Sequence, residues 1–205
     1  MRLSSHFYAI ADPSGGHDPA ELAKTLLESG ARILQLRMKQ ASAREFLSAA
    51  RAIRALCRKH EALFIVNDRP DVALLAGADG VHLGQNDLPL KMGRRLLGQG
   101  SVIGVSTASV EQARAAEEGG ASYIGFGPMY PGGTKQIVKG QGIERLAEVR
   151  AAVKIPIVAI GGITEERVPE VLHAGADAAA IISDVVLAPD VGAKVRSILR
   201  LAQSA

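Results

Sequence analysis

The sequence predicts an α/β fold: a (βα)₈ barrel of the TIM type, an eight-stranded parallel barrel inside a ring of helices, in one domain spanning residues 1–205. Short apolar runs rich in β-branched residues alternate with amphipathic helical patterns from end to end. Aromatic residues make up only 3% of the chain and Trp is absent, so the core has to be aliphatic, which suits strands buried on both faces. A Gly-Ala-x tripeptide stands ahead of four of the strands, at Gly30-Ala31-Arg32, Gly77-Ala78-Asp79, Gly120-Ala121-Ser122 and Gly175-Ala176-Asp177. Each closes a helix just before an even-numbered strand. Gly suits the left-handed position beyond a helix C-terminus and Ala permits close packing, so the repeat marks four βαβα quarters.

The elements follow in order. Residues 7–11 are apolar and stop at Asp12. Residues 33–38 alternate apolar Leu34, Leu36 and Met38 with polar Gln35 and Arg37. Residues 63–67 run apolar from Leu63 to Val66 and end in Asn67. Residues 80–83 carry His82 between Val81 and Leu83, where a neutral core histidine is expected before a ligand. Residues 102–105 lead to Ser106-Thr107, and 123–126 run into a Gly- and Pro-rich stretch. Residues 156–160 end at Gly161-Gly162, and 178–182 at Ser183-Asp184. Between them, residues 43–59, 110–118 and 165–173 carry apolar residues at helical spacing.

Composition narrows the function. The formal net charge is +3, with basic residues spread along the chain, which fits an anionic small ligand better than nucleic acid. The shortage of aromatic residues also argues against a stacking platform for single strands. Cys57 is alone, so a disulfide framework is excluded and a reducing compartment is expected. Residues 1–6 have no apolar targeting core and no run approaches membrane-spanning length, which points to a cytoplasmic protein without a membrane partner. The sequence permits a homo-oligomer and does not set its number.

Active sites of such barrels lie at the C-terminal ends of the strands, and polar residues cluster there. Period-2 geometry places Gln35, Arg37 and Lys39 on one face, the barrel interior, where two cations need an anion or neighbouring carboxylates. Asp68 and Asp87 end adjacent strands, so their carboxylates should meet. Mg²⁺ between them fits, since it takes few protein carboxylates and completes its shell with water and phosphate oxygens. General acid–base work and a salt bridge from Asp68 to Arg37 or Lys39 are the competing roles. Gly161-Gly162 and Ser183 stand where barrels of this class bind phosphate. Residues 131–142, Gly-rich and carrying Lys135 and Lys139, read as a lid or as a surface loop.

These stretches resemble the thiamine phosphate synthase (thiamine-phosphate pyrophosphorylase) family. The likeness is carried by residues 35–39, Asn67-Asp68-Arg69-Pro70-Asp71, the run from Gly77 to Pro89, Gly104-Val105-Ser106, Gly125-Phe126-Gly127-Pro128, Thr134-Lys135 and Ala159-Ile160-Gly161-Gly162-Ile163. The resemblance implies condensation of a hydroxymethylpyrimidine diphosphate with thiazole phosphate to give thiamine phosphate and pyrophosphate, two phosphorylated small-molecule partners. It implies that Gln35, Arg37, Lys39, Asn67 and Lys135 hold the diphosphate, with Arg37, Lys39 and Lys135 acting in catalysis, and that Asp68 and Asp87 bind Mg²⁺. Thr134, Gly162, Ile182 and Ser183 would receive the thiazole phosphate, and Ser106 would line the pyrimidine site. Ala108 stands where family members usually carry His, and Gly132 where the lid often carries Thr. The continuation 136–142 is similar to a related thiazole tautomerase branch, but that branch uses the His that Ala108 replaces. A tautomerase-like relative and a non-catalytic barrel protein of the same pathway are the alternatives.

Overall fold

The computed structural model describes residues 3–132 and 139–204. Eight parallel strands close into a barrel in sequence order: β1 (Phe7–Ala11), β2 (Ile33–Leu36), β3 (Leu63–Asn67), β4 (Gly80–Leu83), β5 (Val102–Thr107), β6 (Tyr123–Phe126), β7 (Ile157–Ile160) and β8 (Ala178–Ile181). β1 completes the ring, setting Ala9 opposite Leu34 of β2 and Ile181 of β8. Around it lie α1 (Pro19–Glu28), α2 (Ala43–Lys59), α3 (Pro70–Ala76), α4 (Leu90–Leu97), α5 (Val110–Glu118), α6 (Gly142–Ala152), α7 (Val168–His173), the short α8 (Ser183–Val186) and α9 (Val191–Gln203). The expected barrel is the observed one.

Boundaries moved where backbone chemistry overrides pattern. β2 ends at Leu36, two residues early, because Arg37 and Lys39 turn away to ion pairs, although Arg37 N–H still reaches Ala11 O at 3.0 Å. β5 runs on to Thr107, pairing Ser106 with Gly125 and Thr107 with Phe126. The expected helix 165–173 splits into a 3₁₀ turn at Glu165–Arg167 and α7, since Pro169 has no N–H to offer the carbonyl of Glu165. α2 carries the full reciprocal N-terminal cap, with Ser42 accepting from the N–H of Glu45 and Glu45 accepting from that of Ser42.

Strand alternation divides the core in two. Phe7, Ala9 and Ala11 of β1, Leu34 and Leu36 of β2, and their counterparts face outward and pack under the helices. Tyr8, Ile10, Ile33, Tyr123, Val158, Ala178 and Ala180 fill the bore. Burying that apolar surface is the dominant stabilising term.

The Gly-Ala-x tripeptides turn out to do more than end helices. Gly30, Gly77, Gly120 and Gly175 all have φ between 64° and 107°, as the left-handed turn requires. The third residue then straps the bottom of the barrel. Asp79 Oδ2 accepts the N–H of Phe64 at 2.8 Å and Arg54 Nη1 of α2 at 2.8 Å. Asp177 Oδ2 repeats this four strands on, with the N–H of Ile157 at 2.8 Å and Arg150 Nη1 of α6 at 3.0 Å. Ser122 Oγ accepts the N–H of Ile103 at 3.1 Å, the same bond without the charge.

Candidate active site

At the opposite, C-terminal end of the strands lies a cavity of about 230 Å³, against roughly 10–15 Å³ for one buried water on the same measure. Among the described residues, every side chain expected in the site lines it: Gln35, Arg37, Lys39, Asn67, Asp68, Asp87, Ser106, Gly162, Ile182 and Ser183. Thr134 and Lys135 lie outside the described residues.

On one wall, both cations are already partnered. Arg37 Nη1 meets Asp12 Oδ2, and Asp12 Oδ1 accepts the N–H of Ser14 at 2.9 Å. Asp12 is buried and ties Arg37 to the turn after β1. Lys39 Nζ meets Asp68 Oδ2, which is the salt-bridge alternative read from the sequence. Both cations line the cavity, but they do so from beyond the end of β2 and not from an alternating strand face as the period-2 reading expects.

Asp68 has φ 62°, a left-handed conformation that is uncommon for a residue with a side chain. That backbone turns its carboxylate toward β4, where it hydrogen-bonds Asp87, whose Oδ2 also accepts the N–H of Gly84 at 2.7 Å. Burial works to raise the Asp68 carboxyl, but hydrogen bonds from Lys39 and Asp87 and the charge of Lys39 outweigh it and hold it below the usual range. Asp87 is pushed up, by burial first and then by the hydrogen bond to Asp68, against the Gly84 N–H and the charge of Lys39. Two touching carboxylates share a proton or a cation. Among the described residues no group of three or more His, Cys, Asp or Glu converges. A two-carboxylate donor set of oxygens fits Mg²⁺, which leaves positions for phosphate and water.

The other wall is backbone. Gly161 and Gly162 have φ 98° and 66°, and a Cβ on Gly162 would lie 2.7 Å from the carbonyl oxygen of Tyr130. No residue but Gly fits. Arg167 Nη1 donates to Gly162 O at 2.7 Å and its guanidinium lies 4.1 Å above the Tyr130 ring, while Tyr130 Oη donates to Glu170 at 2.7 Å. Met129 and Tyr130 N–H groups bond the carbonyls of Ile160 and Gly161. The segment leaving β6 is thereby stitched to the Gly-Gly turn.

Sequence reasoning placed Asp12 at the end of the first strand without a partner, passed over Tyr8 and Tyr123, and treated His82 as core. All but Asp12 line the cavity floor, where they are hydrogen-bonded to one another. The available signal was alternation, since Tyr8, His82 and Tyr123 occupy inward positions of β1, β4 and β6.

The sequence family described as thiamine monophosphate synthase matches residues 7–185. The chain is 48% identical over 194 residues to a thiamine-phosphate synthase of Methanospirillum hungatei, covering 92% of this chain and 93% of that one. It is 47% identical to that of Methanocella arvoryzae, covering 93% and 92%. Its backbone is similar to that of a solved thiamine phosphate pyrophosphorylase from Pyrococcus furiosus, at TM-score 0.90 and 37% identity over 97% of this chain and 96% of that one. No described helix is long and apolar enough to cross a membrane.

Proposed function

The chain belongs to the thiamine monophosphate synthase family, and from that premise we propose that it is the transferase that joins 4-amino-2-methyl-5-hydroxymethylpyrimidine diphosphate to thiazole phosphate, releasing pyrophosphate. The observation that carries the reading is the opposition of two unlike walls in one cavity: cations beside a carboxylate pair on β2–β4, and a glycine turn with Ser183 on β7–β8. The first suits a diphosphate, the second a monophosphate.

The residues then have these tasks. Gln35 and Asn67, both buried, orient the pyrimidine diphosphate, and Ser106 contacts its ring. The methylene carbon–oxygen bond breaks with its electron pair leaving on the diphosphate, while the pyrimidine amino group donates electrons to the methylene. Arg37 and Lys39, with Lys135 by family resemblance, neutralise the departing charge. The thiazole nitrogen forms the new bond with its free lone pair, so no general base is needed. Thr134, Gly162, Ile182 and Ser183 hold the thiazole phosphate. Apolar Ile10, Val158 and Ala180 beneath the reacting carbon keep water from capturing it. Asp68 and Asp87 would hold Mg²⁺, which supplies divalent charge to the diphosphate oxygens when bound.

The test is a discontinuous assay for thiamine phosphate with both substrates, with and without Mg²⁺. Product that depends on both substrates and on the cation supports the reading. Absence of product under all conditions refutes it.

A further inference from the structure

The barrel floor contains a continuous chain of side-chain hydrogen bonds drawn from five strands. Gln35 Nε2 is 3.0 Å from Tyr8 Oη, Tyr8 Oη is 2.7 Å from Tyr123 Oη, Tyr123 Oη is 3.0 Å from His82 Nδ1, and His82 Nε2 is 2.9 Å from Ser106 Oγ. Tyr8 and Tyr123 are inaccessible to solvent. The neighbouring strands are cut to fit. A Cβ on Gly104 of β5 would fall inside the Tyr123 phenol, and one on Gly125 of β6 would lie 2.9 Å from His82 Cε1. Both ends of the chain, Gln35 and Ser106, reach the cavity.

Each phenol has one proton to give along this chain, as does a neutral imidazole. With the Gln35 amide donating to Tyr8, the Tyr8 proton goes to Tyr123, the Tyr123 proton to His82 Nδ1, and the imidazole proton, left on Nε2, to Ser106 Oγ. The Ser106 proton then faces the cavity, as does Gln35 Oε1. Turning the amide over reverses every bond together. A chain of mixed sense would set two donors or two acceptors face to face, and an unmade hydrogen bond is costly for groups buried as Tyr8 and Tyr123 are. Burial pushes both phenols far above their ordinary range, so both keep their protons.

We propose that Tyr8, Tyr123 and His82 are positioning residues that set the donor and acceptor sense of Gln35 and Ser106 jointly, with His82 as the Nε2–H tautomer, Gln35 presenting an acceptor and Ser106 a donor. This matches an aminopyrimidine edge, whose amino group donates and whose ring nitrogen accepts; it moves Gln35 from the diphosphate, where the resemblance put it, to the ring, and it rests on the reading of the cavity as a pyrimidine site.

Two measurements test it. The first is the pair of His82 ring ¹⁵N shifts in the full-length protein at pH 8, assigned by their loss in His82→Gln. The Nε2–H pattern is expected; an Nδ1–H tautomer or an imidazolium overturns the proposal. The second is a double-mutant cycle on kcat/KM for the pyrimidine diphosphate, combining Gln35→Ala with Ser106→Ala. A relay makes the double variant at least about 5-fold less impaired than the product of the singles, and Tyr123→Phe should return the pair to within about 2-fold of independence. Independence already present with Tyr123 intact overturns the relay. If the unaltered protein forms no thiamine phosphate, the functional reading falls by itself, and the His82 tautomer still decides the relay.

Discussion

Gly104→Ala is the sharpest test of how the bore is packed. Gly104 sits on β5 directly across from Tyr123 of β6 and beside His82 of β4. An added Cβ would fall nearest Tyr123 Cζ and Oη and 2.5 Å from Cε1, whereas carbon atoms settle about 3.5–4.0 Å apart. The ring can yield only toward the cavity it lines, which means giving up the hydrogen bonds that Tyr8 and His82 make to its hydroxyl. Overpacking costs about 1–3 kcal/mol, and displacing Tyr123 from its partners adds about 1–3 kcal/mol for each buried polar group left unsatisfied. At about 2–4 °C per kcal/mol for a chain of this size, a total of roughly 2–6 kcal/mol, reached with one such group orphaned, should lower the melting temperature by roughly 4–24 °C. Thermal unfolding followed by circular dichroism reads this directly. Tyr123→Phe should give no relief, because Cζ and Cε1 remain. Tyr123→Leu should make Gly104→Ala milder than it is in the unaltered background. A Gly104→Ala melting point within about 2 °C of the parent's would refute the packing argument.

Three other outcomes follow from the site. Asp68→Ala and Asp87→Ala should each abolish Mg²⁺-dependent turnover and keep the far-UV spectrum of the parent, because both carboxylates line the cavity and not the packed core; near-parental activity in either would remove the metal role. Lys135→Ala should lower kcat on the order of 10²-fold or more, as for other groups that stabilise developing charge, and a change confined to the KM of thiazole phosphate would reassign Lys135 to the other ligand. Cys57 is fully buried, and burial pushes its thiol up to about 12 against the smaller opposing effect of Arg54. At pH 8 it is therefore a thiol, and iodoacetamide should modify it in the unfolded chain but not measurably in the native one.

The barrel was legible because its signals are local. The four Gly-Ala-x turns, the aliphatic strands and the helical periodicity each depend on neighbours in sequence. The rim was legible for a related reason, since strand ends can be counted once the strands are placed. Hence Asp68 and Asp87 were paired correctly from spacing alone. What stayed hidden depends on contacts across the ring. Asp12 had no partner in the sequence reading, and it is the pairing of Ala11 with Leu36 that sets it beside Arg37, 25 residues away. Tyr8 and Tyr123 are separated by 115 residues and meet only because β1 and β6 face each other through the bore. His82 read as core because its two ring partners come from β5 and β6, which no periodicity reveals.

The ion pair between Lys39 and Asp68 sets a thermodynamic link between the two charges that the site would receive. Before any ligand binds, Lys39 is committed to Asp68, and Asp68 leans on Asp87. An incoming phosphate competes for Lys39, and as it wins it leaves the two carboxylates facing each other with less compensation. A cation settling between the carboxylates does the converse and releases Lys39 toward the anion. Each guest thus removes the internal partner of the other's host. Their affinities rise by a common factor whichever arrives first, because coupling free energy is reciprocal. A pocket that is internally neutralised when empty also attracts stray anions less than two bare cations would.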